Sequence, residues 1–125
     1  GADAVEEDPL SRLALSNNAH WAVVRSIMPL SERLLVLGGG GYNPWSVGRL
    51  WTGVWATLNG AEVPHRLSPE AEAVLRDLRW RGRRAGRRPP DHWFTTLADM
   101  PRNAPVSDEV RRSLTTLSDR MTVWA

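Results

Sequence analysis

The 125 residues are enough for one domain with a core of its own, and 42% hydrophobic and 24% charged is an ordinary balance for a globular chain. There is no cysteine, which excludes disulfides and thiolate metal ligands, so any zinc bound by these residues must use Asp, Glu or His. Sixteen basic against fourteen acidic residues leave a net charge of +2, which argues against a dedicated nucleic-acid binder. No run of about 18 apolar residues reads as a membrane span, and no basic-then-apolar leader opens the chain; a cytoplasmic location is expected.

In chain order, residues 16–28 read as a helix. Ser16 or Asn17 offers an N-cap, Trp21, Val24, Ile27 and Met28 recur at helical spacing, and Pro29 stops the run. Residues 33–38, Arg-Leu-Leu-Val-Leu-Gly, form a short run that is apolar after Arg33, the pattern of a strand buried on both faces of a parallel sheet, and Gly38 to Gly41 end it before Tyr42. Asn43-Pro44 supplies a cap and a Pro at the first helical position. Val47, Leu50, Trp51, Val54 and Leu58 then form a core stripe closed by Asn59-Gly60. Ser68-Pro69 starts another helix through Leu78. A last helix opens at Ser107, with Val110, Leu114, Leu117 and Met121 as a second core stripe. Residues 60–67 and the Arg/Pro/Gly-rich stretch 79–92 are loops, the latter at the surface. No internal repeat is visible.

One strand makes no sheet. An apolar strand of this kind needs parallel partners on both sides, and none follows residue 38, so the sequence reads as a fragment of an α/β domain whose other strands are expected before Gly1. The chain also starts on Gly rather than Met. Seven Trp are many for this length, and some are expected to face a neighbour outside these residues.

A strand ending just before Asp3 would complete a βαβ unit with helix 16–28 and strand 33–38. Asp3 and Tyr42 would then share the carboxyl edge of the sheet, where open α/β sheets hold ligands. A carboxylate and a phenol 39 residues apart would meet at one crevice. The glycines would let the backbone turn sharply and approach a ligand or metal closely.

Gly1-Ala2-Asp3, then Asp8-Pro9-Leu10, then Gly38 through Tyr42 at this distance, together resemble the end of the histone-deacetylase catalytic domain. The run Tyr42-Asn43-Pro44-Trp45-Ser46-Val47-Gly48-Arg49-Leu50-Trp51-Thr52 is most similar to the bacterial acetoin-utilisation deacetylases. The resemblance is strong over residues 1–65 and diffuse beyond. It implies an α/β, arginase/deacetylase-like open parallel-sheet domain, of which this chain is the C-terminal part with one buried strand and about four helices. It implies hydrolysis of N-acetyl amides, either acetyl-lysine in proteins or acetylpolyamines.

Within that resemblance Asp3 is one ligand of a catalytic Zn2+, or of another divalent metal such as Fe2+. Tyr42 donates its hydroxyl to the substrate amide oxygen while a metal-bound water attacks. Leu10 lines the acyl-lysine tunnel, and the backbone of Gly39 and Gly40 edges it. The family's remaining ligands, an Asp and a His spaced Asp-x-His, and its paired-His dyad are expected upstream. His20, His65 and His92 do not replace them. The isolated chain is expected to be inactive, because a catalytic zinc needs three protein ligands.

Plainer readings stand beside these. Asp3 could be a surface or capping acid, Tyr42 a packed aromatic, and Leu10 simply core. The glycine run could cradle a phosphate, but it lacks the GK[ST] Lys and the third glycine of GxGxxG. Arg79, Arg81, Arg83, Arg84, Arg87 and Arg88, flanked by Trp80 and Trp93, give the rival class of function: a non-catalytic module binding nucleic acid or an acidic partner. All sixteen basic residues are Arg, which fits a GC-rich bacterial coding sequence.

Overall fold

The computed structural model describes residues 1–10, 12–80, 89–102 and 105–122. Five helices follow in order: α1 (Asn17–Ile27), α2 (Pro44–Leu58), α3 (Pro69–Asp77), α4 (His92–Thr95) and α5 (Asp108–Thr122). Short 3-10 turns occupy Ala2–Ala4 and Met28–Leu30. No described helix is long and apolar enough to cross a membrane.

The helix starts follow from local chemistry. The Asn43 side chain accepts from the amides of Trp45 and Ser46 at 3.0 and 3.3 Å, with Pro44 pre-set for the first turn. Ser68 does the same for Ala71 at 3.3 Å. α1 starts differently. Ser16 stands at the cap position without using its hydroxyl, and the amide of Asn17 is met instead by Asp99 Oδ2 at 2.7 Å, from 82 residues away. Asn17 replies in kind: its side chain donates to the Leu97 carbonyl at 2.7 Å and accepts from the Asp99 amide at 3.0 Å.

The core lies where α1 crosses α2. Trp21, Val24, Leu50 and Val54 are buried together with Ala2, Val5 and Leu97. The Trp21 indole donates to the Leu50 carbonyl at 3.0 Å and lies on the bare face of Gly53, so close that a Cβ there would overlap the ring. Arg49 is buried on the same helix. Its Nε donates to the Thr96 carbonyl at 2.8 Å and its Nη2 lies 2.8 Å from Asp99 Oδ1. A second aromatic cluster centres on Trp45, which stacks on Trp93 and meets Trp80 and Phe94 edge-on. Arg76 at the end of α3 lies over the Phe94 ring and bonds Asp91 at 2.7 Å and Glu72 at 2.6 Å. The hydrogen bonds from Arg76 hold the Glu72 carboxyl below the usual carboxylate range, and Asp91, then Glu72, push the Arg76 guanidinium up.

Two expectations are corrected. Residues 33–38 form no strand, and the β contact among the described residues is one parallel bridge, Val5 with Leu15. The segment is largely exposed rather than buried on both faces: Val36 packs on the core, while Leu34 is exposed and Leu35 and Leu37 are 81% and 76% exposed. A parallel strand exists only when neighbours take its amides and carbonyls, and here Gly39 receives one such bond, from Ala2 at 2.8 Å. The stripe of α5 is likewise not core, since Val110, Leu114, Leu117 and Met121 are all exposed. Of the Arg cluster, Arg79 is described and exposed; Arg81, Arg83, Arg84, Arg87 and Arg88 lie outside the described residues, as does Trp124. α4 adds a short helix that begins at the last residue of the 79–92 stretch and continues into residues to which the sequence pattern assigns no element.

Candidate active site

Asp3 sits in the 3-10 turn Ala2–Ala4, half-buried, and makes no hydrogen bond or ion pair with another described residue. Against it lies the glycine run. Gly40 and Gly41 have φ of +65° and +91°, the left-handed region that favours glycine. A Cβ on Gly40 would strike the Asp3 carboxylate, and one on Gly41 would come within 2.6 Å of Val47 Cγ2 and 3.0 Å of Ala2 Cβ. These two positions require glycine for conformation and for space at once. Gly39 has open space around its Cα and bonds Ala2 through its carbonyl.

The elbow runs directly into Tyr42, whose side chain is half-exposed at 52%. The Tyr42 amide donates to Asp8 Oδ2 at 2.7 Å, and the Leu10 amide donates to Asp8 Oδ1 at 2.9 Å. Asp8 itself is 2% exposed. Asn43, the cap of α2, adds a bond from its side chain to the Glu7 carbonyl at 3.2 Å. The structure therefore brings the glycine elbow onto Asp3, and Leu10 and Tyr42 onto one shared carboxylate. Leu10 is exposed rather than core.

Sequence reasoning gives Asp8 no role beyond its place in the Asp8-Pro9-Leu10 motif. A carboxylate two residues before an amide is a common turn signal; nothing local reveals that its second oxygen serves residue 42. For His20 the sequence gives a position on a helix and no more. Its Nε2 lies 3.1 Å from the Gly1 carbonyl, and its buried Nδ1 has no partner among the described residues.

One group of three metal-type side chains occurs among the described residues: Glu7, His92 and Asp99, with ligand atoms within 4.8 Å of one another. Asp3 is not in it. Asp99 in that group is already engaged, with Arg49 on one oxygen and the Asn17 amide on the other, so a cation there would face a buried guanidinium. The Asp3 carboxylate, by contrast, is uncommitted among the described residues and offers the hard oxygen donor that divalent metals accept. Alone it could offer one ligand where a catalytic zinc takes three, and the described residues group no further ligand with it.

Residues 1–58 match the model of the histone deacetylase domain. A putative histone deacetylase 2 of Caenorhabditis elegans is 47% identical over 51 residues, 41% of this chain and 10% of that protein. The acetoin utilization protein AcuC of Bacillus subtilis is 33% identical over 76 residues, 56% of this chain and 20% of that protein. The crystal structure of an HDAC homologue from Aquifex aeolicus superposes with a TM-score of 0.80 at 32% identity, over 93% of this chain and 31% of that one. An HDAC homologue complexed with SAHA superposes with a TM-score of 0.78 at the same identity. The chain thus spans a tenth to a fifth of these curated relatives and about a third of the solved structures. By sequence and by backbone, the chain is similar to part of the histone deacetylase domain.

Proposed function

We propose that this chain is the C-terminal part of the catalytic domain of a metal-dependent deacetylase that hydrolyses N-acetyl amides, acetyl-lysine in proteins or acetylpolyamines. In the full-length protein residues 33–38 become a strand of a parallel α/β sheet, paired on the edges that are bare here. Asp3 is one ligand of the metal, Zn2+ or another divalent ion such as Fe2+, and the other ligands come from outside these 125 residues. When bound, such an ion supplies Lewis-acid polarisation of the carbonyl and a low-pKa water.

The chain's own contribution is the phenol. Tyr42 directs its hydroxyl at the amide oxygen, where negative charge develops as the carbonyl carbon becomes tetrahedral, so the bond strengthens toward the transition state. Leu10 and the backbone of Gly39 and Gly40 border the path of the acyl chain. With a single metal ligand, the 125 residues alone are inactive. The observation that carries this reading is the glycine elbow: it folds onto an uncommitted acid at one end and delivers Tyr42 at the other. In the full-length protein Tyr42→Phe lowers kcat by roughly 100- to 1000-fold, as expected for loss of an oxyanion donor. A Tyr42→Phe enzyme running at the full rate removes the phenol from the mechanism and this reading with it.

A further inference from the structure

Asp8 is a carboxylate at 2% exposure, and no salt bridge among the described residues reaches it. A buried charge of this kind is costly unless hydrogen bonds satisfy it. Its two oxygens are divided between two main-chain donors, Leu10 at 2.9 Å and Tyr42 at 2.7 Å, which lie 32 residues apart in sequence. An Asn in its place would offer one acceptor oxygen for two amides. A carboxylate presents one acceptor oxygen to each amide.

Leu10 and Tyr42 are 68% and 52% exposed, so side-chain packing does not set their positions. The residue before Tyr42 is a glycine in the left-handed region, so the direction in which the chain enters Tyr42 is set by a backbone turn. The geometry points to Asp8 as the positioning residue of the site: we propose that its carboxylate clamps the tunnel-wall residue Leu10 and the phenol-bearing residue Tyr42 in fixed register, and that it acts on catalysis through Tyr42. This rests on the deacetylase reading above.

The test is a double-mutant cycle in the full-length protein, with kcat and KM measured on an acetyl-lysine peptide. Asp8→Asn in the parent enzyme lowers kcat by about 10- to 100-fold, the scale of a small misplacement of a catalytic group. In the Tyr42→Phe background the same change costs less than about threefold, because the group being positioned is already gone. Equal factors in both backgrounds, or an unchanged kcat for Asp8→Asn, overturn the proposal, since an effect on folding alone ignores the phenol. Where Asp8→Asn does not yield folded protein, Asp8→Glu, which keeps both oxygens on a longer arm, takes its place in the cycle. A smaller factor in the Tyr42→Phe background again supports the clamp, and equal factors again overturn it. The two failures are distinguishable. An inactive parent, or a full-rate Tyr42→Phe, sinks the deacetylase reading; an active parent with a slow Tyr42→Phe and a constant Asp8 factor sinks only the clamp.

Discussion

Asp99 carries four connections at once: an ion pair to Arg49, a bond from the Asn17 amide, the return bond from its own amide to the Asn17 side chain, and a bond its carbonyl accepts from the Asn18 side chain. The Arg49 and Asp99 side chains are 1% and 7% exposed, so the pair is removed from water. Breaking such a pair from one side leaves a buried charge alone, which costs more than the pair itself contributes. Asp99→Ala therefore destabilises the chain by about 3–5 kcal/mol, read from denaturant unfolding; a loss under about 1 kcal/mol would show that Arg49 finds water or another acceptor. None of this is legible in the sequence, because Asn17 and Asp99 lie 82 residues apart and neither sits in a motif. Asp8 is visible as half of a turn and hidden as the anchor of Tyr42 for the same reason. Gly40 and Gly41 are the opposite case, since a run of four glycines after an apolar segment has few uses other than a left-handed turn.

At the scale of elements, α1 against α2 depends on the absence of a side chain. A helix-interior Gly→Ala change ordinarily stabilises by up to about 1 kcal/mol. At Gly53 the added Cβ overlaps the Trp21 indole, whose N–H is tied to Leu50, so the ring cannot slide away freely. Overpacking costs about 1–3 kcal/mol and outweighs the propensity gain. Gly53→Ala thus lowers the thermal midpoint by a few degrees, and a rise would show that the helices part without loss. α1, α2, α3 and α5 are readable because caps, prolines and apolar spacing are local signals. α4 is not, since four residues carry no stripe. Residues 33–38 read as a strand because composition describes what a segment can become; whether it does depends on neighbours that composition does not contain.

At the scale of the molecule, apolar surface is left open on several sides. Leu13, Leu35, Leu37, Trp55 and Leu114 are all more than half exposed. Apolar surface of this extent marks contacts to be made, with other parts of a domain or with other copies. On its own the 125-residue chain therefore self-associates in a concentration-dependent way, seen as a rising average sedimentation coefficient over the micromolar range. A constant monomeric value across that range would show that the open surface is tolerated. The bonds from Asp8 and Asp99 also impose an order on the chain as it leaves the ribosome. The link from Asp8 to Tyr42 closes a loop of 34 residues and can form while the remainder is still being made. The amide at the start of α1 waits for residue 99, across a span of 82. The start of α1 thus stays open until residue 99, 82 positions further along, is in place.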